Sequence, residues 1–346
     1  MKVQRIFVTL MLVFIGCISV SRAADRAVVP MATVAGVVAP WCLTSGYIYE
    51  PAFGPPGSAP NIDFQKTLLS PPQAVLAVDS GQVPMNDCVG LGTVAQAWSK
   101  GAHNLVMVAV NGSAPAYVLV GSKNIKSLAD FKGKALASNG VATTQTQAIV
   151  SILSKGANLT LDRDYNFVSA ATGAARLAAL TAGKADGIAA YEPISYKLID
   201  DGYPALGYEK QYVPNYVQGV LVLNRTWAQA NRPLVVAMIK SMILTGRWLK
   251  DPSKKNEVIA KLADVTMDGA KLGPDYARRI YADTISVDGG VGESGGADRA
   301  LFQTTLDFLI DRGILTKGDY PLDKMVDFSY LNQARRDLRL PPVKEM

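Results

Sequence analysis

The stretch Ser127-Leu128-Ala129-Asp130-Phe131-Lys132-Gly133-Lys134-Ala135-Leu136 is answered about fifty residues later by Ala182-Gly183-Lys184-Ala185-Asp186-Gly187-Ile188-Ala189-Ala190-Tyr191-Glu192-Pro193. In the first phrase Ser127 and Asp130 have the spacing of a capping box, Gly133 stops the turn, and the apolar run through Ala137 begins a buried strand. In the second, Gly183 closes a helix, Gly187–Ala190 reads as a strand, and Pro193 opens the next helix. Strand and helix alternate between the two phrases, which calls for a parallel sheet covered on both faces.

Outward from these phrases the alternation continues. Upstream it gives strands near Val28–Thr33, Ile62–Leu68, Val83–Met85 and Leu105–Val110, with helices over Pro40–Glu50, Pro72–Ser80 and Gly92–Lys100. The Pro- and Gly-rich run from Pro51 to Pro60 can sustain neither helix nor ladder and is a loop. Asn111-Gly112-Ser113-Ala114-Pro115 breaks the pattern ahead of a strand over Tyr117–Gly121. The chain is expected to pass into a second lobe after Gly121 and to return near Pro214. Residues 24–121 and 215–346 then form one lobe and 122–214 the other, with a helical pattern from Arg232 onward. Two crossings put a hinge at the base of a cleft, where a ligand touching both sides favours closure through its differential affinity.

Length agrees with two lobes, since 346 residues exceed the size at which a single core stops growing. Residues 1–23 begin basic at Lys2 and Arg5, run apolar from Ile6 to Val20, and end in Ser21-Arg22-Ala23. These are the features of a secretory signal peptide cut before Ala24, and the apolar core is too short to span a bilayer comfortably. Ile15-Gly16-Cys17 offers the alternative of lipidation at Cys17. Simple cleavage makes the expected location the periplasm. Lys2, Arg5 and Arg22 supply three charges of the net +6, and the remaining Lys and Arg are scattered beside acids. That argues against the clustered basic surface nucleic acid requires. Cys42 and Cys88 remain after either cleavage. They are either a disulfide closing a loop of about 45 residues, worth ~4 kcal/mol, or two separate buried thiols.

Signatures of enzymes are sparse. The single histidine, His103, sits in a helix-to-strand loop with no motif for a triad or metal partner. No CxxC pair, HExxH or Walker loop occurs, and the glycine-rich run Gly289–Gly296 follows no strand and reads as a flexible loop. No metal or cofactor is expected.

The two opening phrases are joined by Gly219-Val220-Leu221-Val222-Leu223-Asn224 ahead of a long helix and by Val326-Asp327-Phe328-Ser329-Tyr330-Leu331 near the C-terminus. In order and spacing they resemble the extracytoplasmic solute-binding proteins of ABC importers, of the nitrate/sulfonate/taurine and thiamine-precursor type. The resemblance covers most of the chain after the leader. It implies an α/β periplasmic-binding-protein type II fold: two Rossmann-like lobes, a ligand cleft between them, and C-terminal helices on lobe 1. It implies a monomeric, non-enzymatic protein whose partners are a small-molecule solute and ABC permease subunits in the inner membrane. A ligand-sensing accessory protein of the same fold is an alternative. Eukaryotic pyrimidine synthases of the thiamine-precursor branch resemble this fold too, but they depend on an active-site histidine and a cysteine cluster, and this chain has no such cluster.

In open α/β sheets, ligands sit beyond the carboxyl ends of the strands. Four loops qualify. Trp41, in Ala35–Trp41, is an aromatic wall for an organic ligand or a core anchor. Asn86 and Asp87 follow Val83–Met85, where the family usually has "GeiD" and this chain has Gly81-Gln82-Val83-Pro84. Asp87 would meet an ammonium or hydroxyl, or cap the next helix. Thr143 and Thr144, before a helix, offer hydroxyls and free N–H groups to a carboxylate or sulfonate, besides capping. Tyr191 and Glu192 form the rim, and Glu192 would repel a bare anion. None of the four loops holds an arginine, so anion recognition is expected to rest on helix N-termini and hydroxyls, which favours an organic solute over nitrate.

Overall fold

The computed structural model describes residues 26–33, 40–140, 142–267, 270–288, 291–292 and 294–346. The leader, with both of its processing alternatives, and the loop 34–39 lie outside them. In chain order, β1 (Ala27–Thr33), β2 (Ile62–Leu68), α1 (Pro71–Asp79), β3 (Met85–Val89), α2 (Leu91–Ser99) and β4 (Leu105–Gly112) build one lobe. Next come β5 (Val118–Gly121), β6 (Lys134–Ser138), α3 (Thr144–Ala157), β7 (Tyr165–Ser169), α4 (Gly173–Thr181), β8 (Gly187–Ala190), α5 (Ile194–Asp200) and β9 (Ala205–Tyr208). The chain returns through β10 (Gly219–Asn224) and continues as α6 (Arg232–Lys250), α7 (Lys255–Asp264), α8 (Pro274–Ile280), α9 (Arg299–Asp311) and α10 (Ser329–Asp337).

The strands form two five-stranded sheets of matching design, β2-β1-β3-β10-β4 and β7-β6-β8-β5-β9. Neither is wholly parallel: β10 runs against β3 and β4, and β5 against β8 and β9. The reason is the double crossing. A strand that ends at the cleft and continues into the other lobe must start there at the cleft, so it runs against neighbours whose carboxyl ends face that cleft. Strand β5 therefore belongs to the second sheet, and the crossing falls at 113–117 rather than after Gly121. Of the break read at Asn111–Pro115, Asn111 and Gly112 end β4 and the rest leads into this crossing.

The two crossing segments are bonded side by side. Tyr216 N–H donates to Ser113 O at 2.9 Å and Glu209 N–H to Tyr117 O at 2.8 Å. The Glu209 carboxylate, 1% exposed, accepts from the N–H groups of Ala116 and Tyr117 at 3.1 and 3.2 Å and from Tyr216 OH at 2.8 Å. Burial pushes its pKa up to about 7, against these hydrogen bonds.

The opening phrases meet in space. Leu136 on β6 pairs with Gly187 on β8, Asp186 N–H donates to Ala135 O at 2.7 Å, and Ala135 N–H returns a bond to the Asp186 carboxylate at 3.1 Å. A side chain at position 187 would bring its Cβ within 2.6 Å of the buried Phe131 ring. Ser127 and Asp130 form the capping box, and Gly133 turns with φ +74°, in the left-handed region that glycine tolerates. These phrases thus build the second lobe, and only the end of the second, Tyr191-Glu192, reaches a ligand loop. Its sheet buries Leu119, Leu136 and Ile149 on the α3 face and Val120, Ile188 and Leu198 on the other. Each such side chain is worth about 1.5–3 kcal/mol. In the first lobe α6 and α10 pack on each other, and α10 lies on β4. Among the described residues no helix is long and apolar enough to cross a membrane.

Candidate functional site

The lobes meet where helix N-termini face each other. Gly90 caps α2 from the first lobe and Thr143 caps α3 from the second. A Cβ on Gly90 would come within 2.7 Å of Thr144 Cγ2, and one on Gly92 within 2.8 Å of Ala142 O. Glycine at both positions lets the two backbones approach this closely. Thr93 Oγ1 also donates across the gap to Ala142 O, at 3.3 Å.

Between these ends lies a cavity of about 30 Å³, bordered by Pro71 at the start of α1, Gly90, Thr144, Tyr117, Tyr191 and Arg176. It has room for about two waters. Thr143 Oγ1 is committed to its helix: it accepts from Thr146 N–H at 3.4 Å and donates to Asn139 Oδ1 at 2.7 Å. Thr144 Oγ1 lies 3.1 Å from Tyr117 OH, and the Tyr117 and Tyr191 rings meet edge to face at 5.8 Å. Free N–H groups at the starts of α2 and α3 make this cavity electropositive, whereas α1 opens on Pro71-Pro72, which have no N–H to offer.

Arg176, on the first turn of α4, completes the cavity. It is 6% exposed, and its guanidinium makes a long 3.4 Å bond to Ala170 O. The expectation of a cleft without arginine is overturned: the residue reaches the site from inside a helix and not from a loop. Thr172 caps that helix and Gly173-Ala174-Ala175 adds no bulk before Arg176, which is the one signal the sequence carries.

Asn86 and Asp87 belong to β3 and not to a loop after it. Both ends of the Asn86 amide serve the sheet, Nδ2 donating to Ala32 O and Oδ1 accepting from Cys88 N–H, each at 3.0 Å. Asp87 caps no helix, since Gly90 holds that position. Its Oδ2 accepts from Tyr49 OH at 2.9 Å, while Oδ1 has no partner among the described residues. Burial pushes its carboxyl up to about 7. Cys42 and Cys88 are joined as a disulfide, which ties the helical turn Pro40–Ser45 to the strand leading into Gly90. The Trp41 side chain lies outside the described residues. Glu192 turns away from the small cavity into a larger one on the hinge side. His103 sits beyond the far end of α2, its ring 4.8 Å from that of Trp98.

The sequence model of the family described as NMT1/THI5 like matches residues 69–243, just over half the chain. The chain belongs to the NMT1/THI5-like family. No protein of curated function matches it significantly. Among solved structures, a Bordetella bronchiseptica protein has a TM-score of 0.70 at 17% identity, over 91% of this chain and 99% of that one. The alkanesulfonate-binding protein SsuA of Xanthomonas axonopodis pv. citri, bound to MOPS, has a TM-score of 0.65 at 21% identity, over 85% and 96%. The periplasmic nitrate-binding protein NrtA of Synechocystis has 0.65 at 15%, over 92% and 90%. At these identities the likeness is one of fold, and this NMT1/THI5-like chain has the periplasmic-binding-protein architecture.

Proposed function

We propose that this protein is the extracytoplasmic solute-binding component of an ABC importer, which closes its lobes on a small organic anion and hands it to a permease. The observation that carries this reading is the convergence of Arg176 with the N-terminal ends of α2 and α3 on one cavity between the lobes. Backbone N–H groups and a buried guanidinium make an anion site that bulk water cannot match. The partly paired guanidinium has donors left for a carboxylate or a sulfonate. At about 30 Å³ the cavity takes no organic molecule as it stands, so loading requires the lobes to part about segments 113–117 and 209–218. Ligand-driven reclosure follows from contacts made to both lobes only in the closed state.

A sulfonate or carboxylate suits the site better than nitrate does. Tyr117 and Tyr191 supply an aromatic wall beside the charge, as an organic body requires. SsuA, of like fold, is a sulfonate-binding protein and supports the class. The protein acts as a monomer in the periplasm after loss of its leader. Its histidine lies at the end of α2 remote from the cleft, which leaves the histidine-dependent pyrimidine chemistry of the enzymatic relatives without its group there. Isothermal titration with alkanesulfonates, aromatic carboxylates and nitrate tests the reading: one-to-one binding of an organic anion without turnover is expected, and nitrate alone binding would overturn the ligand class.

A further inference from the structure

A second cavity, of about 520 Å³, lies on the hinge side of Tyr117, between α5, the crossing segment 114–118 and the chain from Arg279 to Asp288. Its size is that of small-molecule sites. Glu192 Oε2 and Ser195 Oγ, both on its wall, have no hydrogen-bond partner among the described residues. Yet Glu192 is 8% exposed and Ser195 0%. Buried polar groups left unpaired carry their full desolvation penalty, and with Glu192 and Ser195 on one wall this side of the cavity is under-satisfied in hydrogen bonds.

The charge balance says what kind of donor. Glu192, Asp283 and Asp288 stand against Lys210 and Arg279. Arg279 is already paired with Asp200 at 2.8 Å and lies 3.9 Å over the Tyr196 ring, so the unpaired balance is negative. Asp283 accepts from Tyr196 OH at 2.8 Å, which leaves Glu192 and Asp288 as the carboxylates of this wall, Glu192 the one beside the apolar surface. Val118, Ile199 and the Tyr196 ring form the apolar part of the wall. No group of three His, Cys, Asp or Glu among the described residues is placed to hold a metal ion.

We propose that this hinge cavity is a binding site in its own right for a small organic cation, a primary ammonium or a protonated nitrogen heterocycle. The N–H donates to the Glu192 carboxylate and the apolar body lies against Val118, Ile199 and Tyr196. The site is opposite in sign to the Arg176 cavity. It stands independently of the anion reading, and the two fail separately because Arg176→Met touches only one of them.

The test is isothermal titration of the protein, at pH 8 because burial pushes the Glu192 carboxyl up to about 7, with benzylamine and with benzyl alcohol, which share a shape and differ in charge. Benzylamine is expected to bind at least about tenfold more tightly, as one charge-assisted hydrogen bond implies. Glu192→Gln should abolish that preference, while Arg176→Met leaves it intact. Val287→Lys adds a positive charge at a rim position that is 37% exposed; it should weaken benzylamine binding without lowering the melting temperature. Equal affinity for the two probes, failure of benzylamine to bind, or a preference that survives Glu192→Gln would overturn the proposal. If Glu192→Gln does not fold, Val287→Lys decides, and unchanged benzylamine affinity there refutes it.

Discussion

Replacing Arg176 by Met separates a ligand-binding guanidinium from a structural one. Arg176 is 6% exposed and its bond to Ala170 O is 3.4 Å long. A buried cation so weakly compensated is a burden on the fold, and a methionine of similar length relieves it. The melting temperature of Arg176→Met without ligand should therefore equal or exceed that of the parent. Binding should move the other way. A hydrogen bond to a charged group contributes about 1.5–3 kcal/mol, and each ~1.4 kcal/mol is tenfold in affinity. The dissociation constant of the tightest organic anion should accordingly rise by about 10- to 150-fold. Arg176→Lys keeps the charge and loses the planar fork, so it should fall between the two. Differential scanning fluorimetry and isothermal titration on the three proteins give both quantities. A lower melting temperature with unchanged affinity would show that Arg176 serves the fold, and the assignment of the cleft would fall with it.

Further outcomes follow from the same geometry. Gly90→Ala is sterically mild for its own backbone, at φ −67°, but sets a methyl 2.7 Å from Thr144 Cγ2 across the cleft; small-angle scattering should record a larger radius of gyration and titration a weaker ligand, and an unchanged curve would refute closure at this point. Asp87 titrates near 3.8 when unfolded and about 7 when folded, so the folded state holds its proton more tightly and stability should fall as pH rises between those values, by up to on the order of 4 kcal/mol. Asp87→Asn should lessen that slope, the rest belonging to the buried carboxyls of Glu209 and Glu192, and gain stability at pH 8 but not at pH 4, as read by denaturant titration. Reduction of the Cys42–Cys88 disulfide, which spans 46 residues, should cost ~4 kcal/mol in the chain-entropy estimate; equal melting curves with and without reductant would contradict a bonded pair in solution.

What the sequence makes legible here is what neighbours along the chain decide. The Ser127–Asp130 box, the turn at Gly133 and the alternation of apolar runs are local facts, and they suffice for two α/β lobes. Strand limits in polar segments are less so: Asn86 and Asp87 read as a loop because their side chains are polar, whereas the sheet consumes both ends of the Asn86 amide and Tyr49 binds Asp87. The cleft is less legible again, because its chemistry is assembled across the lobes. Arg176 sits in a run, Gly173-Ala174-Ala175-Arg176-Leu177, that any amphipathic helix could carry; only the packing of α4 turns its guanidinium towards Gly90, eighty-odd residues away. Tyr191 and Glu192 are adjacent, and a strand end places adjacent side chains on opposite sides. One phrase after β8 therefore feeds two cavities, Tyr191 the electropositive one and Glu192 the acidic one. Glu192 is accordingly no obstacle to an anion held by Arg176, because its carboxylate faces away from that anion's cavity and acts on whatever occupies the hinge side.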